Sequence, residues 1–190
     1  MPSGCVLIST TTLASAASSI TVSGIPQTYH ALRIVSLLET TGTAEFDGDV
    51  HCTFAGVGNG QYQEVTAAAY ASTNGPVAKT VYTGVYGYLN QNNTNKTTQF
   101  GAGFQYSGRN INNVASLEFY SSNYADTNTP LVMHIKSSKG AVGSSTPRQV
   151  IVHGAHSTLG NHALTAITYT TGKSVDFTTA CSIRVYGYIN

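Results

Sequence analysis

Three neighbouring histidines, His153, His156 and His162, come nearest in type and spacing to a set of metal ligands. On a helix an i,i+3 pair of imidazoles converges, but Gly154 and the β-branched run Val150-Ile151-Val152 put His153 at the end of a strand, where it and His156 would point to opposite faces. Asp176 is the one carboxylate within twenty residues on either side, so no charge-balancing ligand or partner for the free imidazole N–H is supplied locally. The expectation is loop or surface histidines and no metal. Asp47 and Asp49 flank Gly48, yet a calcium loop needs a longer series of oxygen ligands closed by a bidentate Glu, so this triplet reads as a turn. The chain contains no Gly-x-Ser-x-Gly elbow, no glycine-rich phosphate loop and no His-Glu-x-x-His pair. Neither an enzyme nor a bound cofactor is expected.

Two other reactive or recognition-competent residue types remain. Cys5, Cys52 and Cys181 are too far apart for a metal knuckle and odd in number, so at least one is unpaired; each sits in an apolar, strand-like stretch and reads as a buried small hydrophobe. Twelve tyrosines occur with no tryptophan, among them Tyr82, Tyr86, Tyr88, Tyr106, Tyr120 and Tyr124. A tyrosine combines a large apolar ring with a polar tip, which suits half-buried sheet faces first and protein or sugar interfaces second.

The elements that carry these residues follow from composition and periodicity. Only 9% of the 190 residues are charged, against about 25% in an average domain, too few for solvated helices held by i,i+4 pairs. Ser, Thr, Asn and Gln supply 65 residues, and 41% of the chain is hydrophobic, enough apolar surface to fold. At 19.9 kDa one core and one domain over residues 1–190 are expected. A net charge of +1 with scattered Lys and Arg offers no basic stripe, so nucleic acid is excluded as a partner. No run approaches the roughly 18 apolar residues of a membrane span. The Met1-Pro2-Ser3-Gly4-Cys5 start lacks the basic and apolar blocks of a secretion signal, which predicts synthesis in a cytoplasm.

Short β-branched and aromatic runs between Gly, Asn, Ser and Pro clusters predict an all-β sandwich of ten or so strands in two packed sheets. Strands are expected at residues 5–11, 19–23, 29–39, 77–89, 97–106, 115–120, 131–137, 149–155, 164–169 and 182–189. Gly24-Ile25-Pro26-Gln27 makes a turn, Phe46 and Val50 flank an Asp-Gly hairpin turn, and residues 56–60 form a loop. The Asn-rich stretch 90–95 is expected to join its neighbours as a hairpin. Residues 61–71 (QYQEVTAAAYA) show helical spacing through Tyr62, Val65 and Ala69, allowing at most one short helix.

The two ends of the chain carry a family resemblance. Val6-Leu7-Ile8-Ser9, Thr12-Leu13-Ala14-Ser15, then Ser19-Ile20-Thr21-Val22-Ser23-Gly24-Ile25-Pro26-Gln27-Thr28-Tyr29 and His30-Ala31-Leu32-Arg33-Ile34 resemble the opening of a group of small tailed-bacteriophage virion proteins, in which a Ser-Ile/Val-Thr-Phe strand and an Ile-Pro-x-Thr-Tyr turn precede a long apolar strand. Phe46-Asp47-Gly48-Asp49 is similar to that group's Phe-Asn-Gly-Asp turn, with Asp47 in place of the asparagine. Leu164-Thr165-Ala166-Ile167-Thr168-Tyr169 to Gly172, Phe177 and Ile183-Arg184-Val185-Tyr186-Gly187 resemble its closing hairpin. About the first 50 and last 30 residues are covered; the middle is unmatched, and Val50-His51-Cys52-Thr53-Phe54 departs from the group's Tyr-rich stretch.

The resemblance implies a jelly-roll-like β-sandwich displayed on a phage particle. The expected function is a non-enzymatic structural protein that decorates and cements the assembled head, with the major capsid protein or other virion proteins as partners and a homo-oligomer, a trimer by symmetry logic, as its form. The alternative is a receptor-binding or carbohydrate-binding module of a tail or head fibre, using the Tyr/Asn-rich surface.

Overall fold

The computed structural model describes residues 4–41, 50–55, 63–72, 75–84, 99–101, 113–129, 132–140, 148–155, 163–171 and 175–189. Twelve strands are present and no helix occurs among the described residues: β1 Gly4–Thr12, β2 Ser19–Ser23, β3 Ala31–Thr40, β4 Val50–Ala55, β5 Gln63–Ser72, β6 Gly75–Gly84, β7 Gln99–Gly101, β8 Asn113–Ser121, β9 Val132–Gly140, β10 Arg148–Ala155, β11 Ala166–Thr171 and β12 Ser182–Ile189. They form an eight-stranded sheet in the order β1-β12-β3-β8-β9-β10-β5-β6 and a four-stranded sheet in the order β2-β11-β4-β7, antiparallel throughout. The fold is all-β, as the periodicity predicted.

The strand order has a simple logic once the hairpins β5-β6 and β9-β10 are set aside. The remaining eight strands pair first with last: β1 with β12, β2 with β11, β3 with β8 and β4 with β7. The chain is thus one long antiparallel hairpin, wrapped so that successive pairs fall alternately in the two sheets, and β12·β3 and β11·β4 close the wrap. That is jelly-roll winding. The two extra hairpins join the large sheet beyond β8, in the order β9, β10, β5, β6.

Alternation along the strands builds the core. On β3 the even residues Leu32, Ile34, Ser36, Leu38 and Thr40 are buried, on β12 Ile183, Val185 and Gly187, on β8 Leu117, Phe119 and Ser121, on β2 Ile20 and Val22, and on β11 Ile167 and Tyr169. Burying each such Ile, Leu or Val contributes about 1.5–3 kcal/mol. One hydrogen bond spans the two layers, from Ser36 Oγ to Tyr169 Oη at 2.9 Å, so both buried hydroxyls are satisfied.

The turn after β2 is pinned by a buried tyrosine. Gly24 sits at φ 67°, a left-handed conformation suited to glycine. Pro26 has no N–H to give, but its carbonyl accepts the hydroxyl of Tyr124, a fully buried side chain from the β8–β9 connection. The backbone N–H of Tyr29 donates to the same hydroxyl at 3.3 Å, and Leu164 N–H donates to the Tyr124 carbonyl at 2.8 Å. Gln27 Nε2 adds bonds to the carbonyls of Ile25 and Leu164, at 2.7 and 2.9 Å. Tyr29 then lays its ring on Gly187 of β12, where a Cβ would overlap the ring.

Four expectations are corrected. Residues 63–72 form strand β5 and no helix, because pairing with β6 and β10 overrides a weak Ala-rich helical spacing. The described strands before and after the Asn-rich segment, β6 and β7, do not pair with each other as a hairpin: β6 pairs with β5 in the large sheet, and β7 with β4 in the small one. The strand expected at 77–89 begins earlier, with β6 at Gly75, and β7 is described only over Gln99–Gly101. Cys181 is buried as expected, but Cys5 is exposed on β1, at the edge of the large sheet among the described strands. The Asp47-Gly48-Asp49 turn and the 56–60 and 90–95 loops lie outside the described residues; β3 and β4, on either side of that turn, belong to different sheets.

Two substitutions test this packing. Gly187→Ala forces the Tyr29 ring off β12 and is expected to cost about 1–3 kcal/mol, the usual penalty of overpacking, read as a fall in Tm of several degrees. Tyr124→Phe strands the Pro26 carbonyl and is expected to cost about 1–3 kcal/mol; an unchanged Tm would show that the hydroxyl is not what pins the turn.

Candidate interaction face

The sheet that buries Ile183, Val185, Leu32, Ile34, Leu117 and Phe119 on one side must show the alternate residues on the other. Register brings them into rows that cross the strands. One row runs Leu7 (β1), Tyr186 (β12), Arg33 (β3), Tyr120 (β8) and His134 (β9), and continues at ladder positions His153 (β10) and Gln63 (β5). The next row, two residues along, runs Thr10, Arg184, Val35, Glu118 and Lys136. His134, Lys136, Arg184 and Leu7 are exposed, and Tyr186, Arg33, Tyr120 and Glu118 are half-buried.

Neighbouring side chains on this face hold one another. The Tyr120 ring meets Tyr188 edge-on at 6.1 Å between centroids and lies 6.3 Å from the His134 ring. Between the two tyrosines the strand offers only Ala31, in register with Tyr188, which leaves the rings room to meet. Arg33 Nε donates to Glu118 Oε1 at 2.8 Å. Desolvation is the largest influence on the Arg33 guanidinium and lowers its pKa, but the hydrogen bond and charge of Glu118, with Tyr188 added, outweigh it and hold the pKa above its ordinary value. Exposed ion pairs of this kind contribute at most about 1 kcal/mol to stability, so the pair is better understood as fixing the direction of Arg33 than as a source of stability.

The β8–β9 connection fixes the register of Tyr120 against His134. Asn123 Nδ2 donates to Thr129 Oγ1 at 3.1 Å, and Val132 N–H donates to Asn123 Oδ1 at 2.8 Å. Thr129 Oγ1 donates to the Asp126 carboxylate, which with the N–H of Asn128 keeps that carboxyl below its ordinary range.

The residues singled out from sequence are placed as follows. His153 lies on β10 opposite His134, a histidine the spacing argument did not include, while His156 and His162 lie outside the described residues. No group of three or more His, Cys, Asp or Glu that could hold a metal occurs among the described residues. Tyr82 lies on β6 at the far edge of the large sheet; Tyr86, Tyr88 and Tyr106 lie outside the described residues. Tyr124 is wholly internal. Alternation along β12 predicts Arg184, Tyr186 and Tyr188 on one side, but nothing local predicts that Arg33, Tyr120 and His134 stand beside them.

Cys181 shows why a thiol in this chain can be inert. The Glu39 N–H donates to its sulfur at 3.2 Å and the thiol lies 3.3 Å from the Glu39 carbonyl, which accepts from it. Desolvation pushes its pKa up, against the smaller lowering effect of backbone hydrogen bonds at Glu39 and Thr178.

Comparison with family models finds no match, and comparison with curated proteins finds none either. Among solved structures the chain is similar to an alginate lyase, solved as a mutant in complex with alginate trisaccharide, at 10% identity and a TM-score of 0.19 over 80% of this chain and 71% of that one. At that TM-score the likeness bears on neither fold nor function. No helix among the described residues is long and apolar enough to cross a membrane.

Cys5 and Cys181 make a direct check. Native protein treated with a maleimide at pH 8 is expected to label at Cys5 and to leave Cys181 unmodified until denatured, as peptide mapping reads. Prompt native labelling of Cys181 would contradict its burial.

Proposed function

We propose that this chain is a non-enzymatic virion structural protein that decorates and reinforces an assembled phage head. One observation carries the reading. The segments that resemble tailed-phage virion proteins, near residues 6–34 and 164–187, stand far apart in sequence, yet they occupy β1, β2, β3, β11 and β12, which the ladders β1·β12, β12·β3 and β2·β11 bring side by side. A resemblance spread by chance over common strand residues has no reason to fall on one contiguous half of a sandwich. The unmatched middle includes both added hairpins, β5-β6 and β9-β10, which attach outside the wrapped set.

The physical role follows from mass action. A protein that binds across neighbouring capsomers, and not to free subunits, stabilises only the assembled shell, by an amount that grows with its concentration over Kd. Its partners are the major capsid protein or other virion proteins, and its form a homo-oligomer, with a trimer the natural match to a three-fold position.

Copy number decides between head and tail. Quantitative mass spectrometry of purified particles is expected to give hundreds of copies, and immunogold labelling to mark the head alone. A handful of copies confined to the tail would overturn the assignment.

A further inference from the structure

We infer that the outer face of the large sheet, across β12, β3, β8 and β9, is a binding site for an acidic polysaccharide lying across the strands. This goes beyond the decoration role and does not depend on it. The chemistry is set by two adjacent rows. The first offers Tyr186, Arg33, Tyr120 and His134, one per strand, with Tyr188 beside them. Strands lie about 4.8 Å apart, a repeat close to the length of one pyranose unit, so successive sugars of an extended glycan meet successive strands.

Aromatic rings present apolar faces to the C–H faces of sugars, and their hydroxyls bond sugar hydroxyls. Tyr120 is held edge-on to Tyr188 and Arg33 is held on Glu118, so little side-chain freedom remains to be lost on binding.

Charge selects the class of glycan. Arg33 is already paired with Glu118, but Arg184 and Lys136, exposed in the adjoining row on either side of Val35 and Glu118, have no ion-pair partner among the described residues. Glu39, the other carboxylate on the outer side of β3, lies six residues from Arg33, about 20 Å along the strand. It accepts from Thr178 Oγ1. Two cations without an ion-pair partner among the described residues therefore border the aromatic row, although the whole chain carries only +1. Carboxylates of uronic acid units complement Arg184 and Lys136, whereas a neutral glucan gives them nothing to pair with. A protein partner fits less well: the centre of a protein interface is depleted in charge and built on large apolar anchors, and on this face the exposed large apolar residues, Leu7 on β1, Leu37 on β3 and Val132 on β9, stand on separate strands and form no continuous apolar patch.

The test is isothermal titration of the full-length protein with polygalacturonate and with dextran at low and high salt. Saturable binding is expected for polygalacturonate and none for dextran, with affinity falling at least tenfold between about 50 mM and 500 mM NaCl as screening shortens. Tyr120→Ala is expected to weaken binding at least tenfold, and the paired charge reversal Arg184→Glu with Lys136→Glu to abolish it while leaving Tm within a few degrees. Ser19→Ala, on exposed β2 of the other sheet, is expected to change nothing. Absence of binding to polygalacturonate, equal binding to dextran, or full affinity in the charge-reversed protein would each overturn the proposal. So would self-association that Tyr120→Ala abolishes without any glycan binding, which would assign the face to a second copy of the chain.

Discussion

The pairing of the first strand with the last is the constraint on which everything else rests. The β1·β12 ladder runs from Gly4 with Ile189 to Thr12 with Ser182, so its partners are separated by nearly the whole chain. No local signal can nucleate such contacts, and loop closure must be overcome before any of them forms. The nested arrangement makes each inner pair a step toward the next outer one: β4 with β7, β3 with β8, β2 with β11, and at last β1 with β12. Tyr124 serves the same closure from the side, since its hydroxyl donates to Pro26 in the turn after β2 while its backbone carbonyl accepts from the Leu164 N–H just before β11.

From that closure comes the two-sided character of the large sheet. The inner side of β12 is Ile183, Val185 and Gly187, and its outer side is Arg184, Tyr186 and Tyr188. A slip of one residue against β3 would send Arg184, Tyr186 and Tyr188 toward the core and bring Ile183 and Val185 to the surface. Tyr29 resists such a slip, because its ring fits only where residue 187 has no side chain. The core and the outer recognition face are therefore specified by one register.

Much of this was legible in the sequence, and what was not has a physical reason. Ser19–Ser23 and Ser182–Ile189 are bounded as alternation and turn residues predict, because period-2 patterning is a property of the strand itself. Partner choice is not local. The Asn-rich segment looked like a hairpin tip, yet its flanks belong to different sheets, and residues 63–72 showed a helical spacing that strand pairing overrode. Cys5 sits in an apolar run that reads as buried, but being on an edge strand is decided by topology alone. The outer face was half legible: Tyr186 and Tyr188 follow from alternation, while the adjacency of Arg33, Tyr120 and His134 depends on three ladders between distant segments.

The two added hairpins depend on the rest of the sheet unequally. The β5-β6 hairpin reaches the sheet only through β10, and β10 only through β9, which itself leans on β8. The dependence runs one way: removing β5-β6 leaves every other ladder intact, whereas removing β9-β10 leaves β5 without a neighbour on that side. The β5-β6 hairpin thus docks only on a sheet that β9-β10 has already extended, and the edge at β6 is where a further strand would disturb the existing ladders least.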